Sequence, residues 1–110
     1  MAFWLQHWPE FQYPVMTTAT VTIRWPQGLH LRAISRLVRV AQGFRSQIYL
    51  QLESNIADAR SAVSLLLLGA PLGTELNVQA LGEDEHEAIR VLQNFFADQE
   101  AGEGVSAVGS

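Results

Sequence analysis

The sequence predicts an open-faced α/β sandwich of order β-α-β-β-α-β-α: a four-stranded antiparallel sheet with three helices on one face. Three observations predict it. Four stretches alternate apolar and polar residues, so each strand has one dry and one wet face, as in an antiparallel sheet solvated on one side. Three other stretches repeat apolar residues at helical spacing. The chain has 110 residues, 48% hydrophobic and 16% charged, which is enough for one core and too little for several.

The first strand is "ATVTIRW", with Val21, Ile23 and Trp25 facing one way and Thr20, Thr22 and Arg24 the other. Pro26-Gln27-Gly28 ends it. From His30 a helix begins, its buried face built from Ala33, Ile34, Leu37, Val38 and Ala41, with Gly43 as the stop. "SQIYLQL" alternates again, and "NIADAR" is a short third strand. "SAVSLLLLG" is a short helix with Ser61 as its N-cap and Gly69 after its end. "TELNVQAL" is the fourth strand. The last helix is "DEHEAIRVLQNFFAD", where Asp84 and Glu87 have capping-box spacing and Ala88, Ile89, Leu92, Phe95 and Phe96 form the buried stripe.

The organised domain is therefore expected over 17–98. Residues 1–16 form an aromatic extension, and the Gly-rich residues 99–110 read as a flexible tail. Trp4, Phe11 and Tyr13 read in two ways. They cover apolar surface or meet a partner, or they lie upstream of a natural start at Met16. The opening lacks a basic start and a continuous apolar run, so it does not read as a signal peptide. No apolar stretch is long enough to span a bilayer, and membrane insertion is not expected.

Composition narrows the function. The net charge is −4, and the seven basic residues, all arginine, form no cluster that would neutralise a phosphate backbone. Nucleic acid is set aside as a partner. Without cysteine there are no disulfides or thiolate ligands, which fits a cytoplasmic protein without establishing one. His7, His30 and His86 lack metal-ligand spacing, so no metal is expected, and no serine, histidine and acid assemble into a triad.

One stretch stands apart. "PQGLHLRA" places His30 at the start of the first helix and Arg32 in its first turn, where an acid would be electrostatically preferred. Unpaired backbone N–H groups at Leu31 and Arg32, a guanidinium and an imidazole make an anion site. Arg32, Arg36 and Arg39 then follow i, i+4, i+7 spacing, a basic stripe on the face opposite the core that suits an acidic partner. The same residues also read more plainly, as a surface histidine and a solvated arginine face.

"GLHLRA", the element order, "ARSAVSLLLLG" and "GTELNVQALGEDEHEAI" together resemble HPr, the histidine-containing phosphocarrier family of the bacterial phosphotransferase system. The likeness covers the whole organised region. It implies that His30 accepts a phosphoryl group on Nδ1 from phosphorylated Enzyme I and donates it to an Enzyme IIA-type acceptor, with Arg32 and the helix N–H groups holding the phosphoryl oxygens. The resemblance implies no cofactor, and it implies a phosphotransferase-system carrier rather than an independent enzyme. Ser61 falls at the family's regulatory serine, phosphorylated by HPr kinase/phosphorylase, although capping alone also explains a serine there. Ala62, Val63 and Leu66 fall on the family's docking patch for Enzyme I, beside Arg36 and Arg39.

Two residues depart from the family pattern. Leu31 and Ile34 stand where it has small residues, while Ala33 is an accepted substitute for the usual proline. The changes leave the carrier chemistry in place and bear on partner choice. A regulatory binding module of the same fold, acting through Ser61 or through docking, is the alternative. Nothing in the sequence marks an obligate oligomer, so a monomer is expected.

Overall fold

The computed structural model describes residues 16–98. The expectations for residues 1–15 and 99–110 lie outside the described residues. The elements are β1 (Thr17–Thr22), α1 (Leu31–Gln42), β2 (Gln47–Leu52), β3 (Asn55–Asp58), α2 (Ala62–Leu68), β4 (Glu75–Leu81) and α3 (Glu85–Ala97). This is the predicted order. The strands lie as β1-β4-β2-β3, every pairing antiparallel.

Alternation decides the faces. Val21, Ile48, Leu50, Ala57, Leu76, Val78 and Ala80 turn inward and are buried with Ala33, Ile34, Leu37, Ala41, Leu65, Ala88, Leu92 and Phe96 of the helices. The other face of the sheet is uncharged at its centre. There the Gln79 amide donates to Gln51 at 2.6 Å and to Asn77 at 2.8 Å, so neutral side chains satisfy one another across β2 and β4.

The boundaries differ from the expectations in instructive ways. β1 starts at Thr17 and stops at Thr22, because Glu75, its last ladder partner, is the first residue of β4. Two further bonds, Ile23 N–H to Thr74 and Gly73 N–H to Ile23, both 2.8 Å, carry the chain onward without a regular ladder. Ile23 and Trp25 therefore stay fully buried outside the strand. β3 ends at Asp58, and its expected last residue does other work. The Arg60 guanidinium leaves the strand and donates to the carbonyls of Phe44 and Ser46, tying the α1–β2 loop to the start of α2.

The capping box expected for the last helix does not form. Asp84 is the N-cap of α3, but its side chain makes no cap bond. Its carboxylate instead accepts the N–H groups of Arg45 and Ser46, each at 2.9 Å, and the Ser46 hydroxyl at 2.5 Å. Glu87 pairs with Arg90 at 2.6 Å. The helix start is held by Glu85, a buried carboxylate that accepts the Gly82 N–H at 3.0 Å and the Thr17 hydroxyl at 2.6 Å. The buried Ser46 outcompetes the local cap, because burial deprives its N–H and hydroxyl of water.

Candidate functional site

Trp25 anchors the chain just before the turn that leads to His30. It stacks on Phe96 (centroids 5.5 Å apart, 22° between planes) and meets Phe95 edge-on at 5.5 Å, while its Nε1–H donates to the Asp98 carbonyl at 2.9 Å. From there the chain turns sharply. Gly28 N–H donates to Trp25 carbonyl at 2.8 Å, and His30 N–H donates back to Gly28 carbonyl at 2.9 Å. Gly28 has φ +72°, and a Cβ there would stand 2.7 Å from the Ala70 carbonyl oxygen. The glycine is thus required by the loop after α2, which packs against the turn.

This turn delivers His30 to the N-cap of α1 in an extended conformation (φ −93°, ψ 176°). The imidazole makes no cap bond and is partly exposed. The first intrahelical bond runs from Ile34 N–H to His30 carbonyl at 2.8 Å. Hence the N–H groups of Leu31, Arg32 and Ala33 have no acceptor within the helix. No acid stands in the first turn to occupy them. A partly exposed imidazole, three N–H groups without helical acceptors and the guanidinium of Arg32 can receive an anion of phosphoryl size.

The helix separates its two faces cleanly. Ala33, Ile34, Leu37 and Ala41 go to the core, so Ile34, one of the departures from the family pattern, is a packing residue without access to the site. Leu31 is different: it is 64% exposed. Leu31, Arg32, Ser35, Arg36 and Arg39 line a shallow groove of about 730 Å³ along the outer face of α1.

α2 lies against α1. Its Ser61 cap accepts the Ser64 N–H at 3.2 Å, and Gly69 closes it in the left-handed conformation at φ 62°. Of the four consecutive leucines, Leu65 and Leu68 are buried while Leu66 and Leu67 are exposed, and Ala62 and Val63 are exposed with them. The end of α2 nearest the His30 turn is its C-terminus, through the bond from Leu29 N–H to Ala70 carbonyl at 2.8 Å. Ser61 caps the opposite end, a helix length of about 10 Å away. The structure therefore brings His30, Leu31 and Arg32 together and sets Ser61 apart from them. Sequence reasoning missed Ala70, Pro71 and Leu72. Gly28 was legible as the end of the first strand, but nothing local says that the loop after α2 packs against it.

His86 is exposed, its Nδ1 3.4 Å from the Thr17 hydroxyl, and it has no place in the site. His7 lies outside the described residues. Among the described residues no three histidine or acidic side chains gather as a metal site would need.

Comparison with known proteins now decides the family. The family described as PTS-HPr, "PTS HPr component phosphorylation site", matches residues 17–98. The chain belongs to the HPr family of phosphotransferase-system phosphocarriers. An HPr of Xylella fastidiosa (strain Temecula1) is 34% identical over 79 residues, covering 72% of this chain and 89% of that protein. A multiphosphoryl transfer protein of Haemophilus influenzae is 39% identical over 92 residues, 81% of this chain but 18% of that longer protein. Among solved structures, HPr-C-His from Thermoanaerobacter tengcongensis superposes with a TM-score of 0.73 at 28% identity, covering 80% of this chain and 97% of its own. The HPr sandwich is thus the fold of this chain. No helix among the described residues is long and apolar enough to cross a membrane.

Proposed function

We propose that this HPr-family chain carries its phosphoryl group on Nδ1 of His30. The nitrogen lone pair attacks phosphorus on phosphorylated Enzyme I; the new N–P bond forms as the bond to the donor breaks. In the second step an Enzyme IIA-type acceptor attacks the same phosphorus, and the N–P bond breaks in turn. Arg32 and the N–H groups of Leu31 and Arg32 hold the phosphoryl oxygens through both steps without bonding to phosphorus. Arg36, Arg39, Ala62, Val63 and Leu66 are the docking residues, a basic stripe beside an exposed apolar patch. The chain acts as a monomer in the cytoplasm. Phosphorylation of Ser61 by HPr kinase/phosphorylase is its proposed regulation, through charge placed on that docking face.

One observation carries the reading: an imidazole free of cap duty, at the N-terminus of a helix whose first three N–H groups lack helical acceptors, with a guanidinium and no acid in the first turn. The test is transfer from phosphoenolpyruvate through cognate Enzyme I to the wild type and to His30→Ala, read as acid-labile phosphate by mass and phosphorus NMR. Label on the wild type that disappears in the variant supports the reading. A folded wild type left unlabelled by a competent Enzyme I overturns it.

A further inference from the structure

Two exposed leucines stand on the segments that meet at the His30 turn and contribute little to the core. Leu31, the first residue of α1, is 64% exposed, and Leu72 is 56% exposed. Leu72 belongs to the loop whose Ala70 and Pro71 pack against Gly28 and Leu29. Their neighbours do the packing: Leu29, Ala33 and Ala70 are all at most 5% exposed. Leaving leucines in water at a reactive turn is unfavourable in the free protein, and such patches mark contact surfaces.

We infer that Leu31 and Leu72 form an apolar collar on the phosphoryl-transfer site that is buried only in the transfer complex. The collar selects partners whose own transfer site has an apolar rim with carboxylates on one side. This inference rests on the reading of His30 as the carrier residue.

The chemistry of the partner follows from the continuity of the surface. Leu31 opens the groove that runs past Arg32, Ser35, Arg36 and Arg39, so one leucine and three guanidiniums share a wall. An overall acidic chain that shows this face to a partner complements an acidic surface, which also steers the encounter. At the reacting end the requirement is different. During transfer the N–P bond at His30 breaks while the bond from phosphorus to the partner's nucleophile forms, and water is the competing nucleophile. Closing an apolar rim over the site expels that water and strengthens the hold of Arg32 on the phosphoryl oxygens. Leu31 and Leu72 are contact residues in this scheme and take no part in bond making.

The test uses the full chain with Leu31→Ser, Leu72→Ser, the double variant and Leu31→Met. Cognate Enzyme I and phosphoenolpyruvate supply the phosphoryl group. Each serine variant is expected to melt with the wild type and to lose roughly fivefold to tenfold in kcat/KM for phosphorylation, the burial of part of a leucine. Leu31→Met should keep most of the rate. Hydrolysis of the isolated phosphoprotein should be the same in all of them. Serine variants, the double included, that stay within twofold of a phosphorylated wild type overturn the collar alone. Faster hydrolysis in the isolated variants also overturns it, because the leucines would then shield the phosphate without a partner. A wild type that takes no phosphoryl group overturns the His30 reading and the collar together.

Discussion

Gly28 and Ala70 stand closer than any side chain allows: a Cβ on Gly28 would lie 2.7 Å from the Ala70 carbonyl oxygen and 2.9 Å from the Pro71 Cα. The same carbonyl accepts the Leu29 N–H at 2.8 Å, so the loop after α2 fixes the height at which His30 meets α1. Gly28→Ala meets backbone atoms that cannot yield and a φ of +72° that a side chain resists. It should cost at least about 2 kcal/mol by chemical denaturation. Gly69→Ala is the control: its Cβ would meet nothing nearer than 3.9 Å, so only the cost of its positive φ remains.

Arg32 is exposed and outside the core. Arg32→Ala should leave stability within about 0.5 kcal/mol of the wild type. On the role proposed for its guanidinium, phosphoryl transfer to His30 should fall by about tenfold or more. Arg32→Lys should recover only part of the loss, because an ammonium lacks the planar fork. Melting curves and single-turnover transfer rates check both halves.

The Ser61 hydroxyl accepts the Ser64 N–H at the start of a seven-residue helix with few other means of holding its first turn. Ser61→Ala should cost about 1 kcal/mol, a fall of roughly 4–8 °C in Tm. Ser61→Asp keeps an acceptor and should melt close to the wild type. Transfer to His30 should be unaffected by the alanine, since the cap lies at the far end of α2, and slowed by the aspartate, which puts charge on the proposed docking face.

Acid should loosen the α3 end of the molecule first. The Ser46 hydroxyl and the Arg45 N–H hold the Asp84 carboxyl below the usual carboxylate range. The Thr17 hydroxyl and the Gly82 N–H do the same for Glu85. With the folded pKa depressed, both contributions are complete above the ordinary carboxylate range and fade as pH falls through it, from about pH 5 downward. Asp84→Ala should therefore melt well below the wild type at pH 7, and the gap should close as acid protonates the wild-type group. A gap that persists unchanged at pH 2 would show that the carboxylate's charge is not what matters.

How much of this was legible beforehand varies with the range of the interaction. The alternation in "QIYLQL" and "ELNVQAL" and the helical spacing of Ala33, Ile34, Leu37 and Ala41 report a local period, and burial follows the period. The Ser61 and Gly69 caps were equally readable, because each acts within four residues of itself. Asp84 was misread for the same reason. Its spacing to Glu87 satisfied a local rule, while its actual donors at Arg45 and Ser46 lie 39 and 38 positions earlier in the chain. At the site, the motif around His30 and Arg32 was visible as residue types in register. The burial of Ile34 was legible too, since it lies on the apolar stripe of the helix; the approach of Ala70 and Pro71 to the turn and the exposure of Leu72 were not, since they depend on a loop distant in the chain.

By itself, then, the sequence determined the element order, the apolar face of each element and the place of His30 at the head of a helix. Those properties depend on backbone periodicity and on capping within one turn. The tertiary structure alone decided that Ala70 and Pro71 brace the histidine turn, that Asp84 serves the α1–β2 loop instead of its own helix, and that Leu31 and Leu72 stay in water. Each of those is a competition between distant groups for the same donor or the same volume, and only the folded chain brings the competitors within reach.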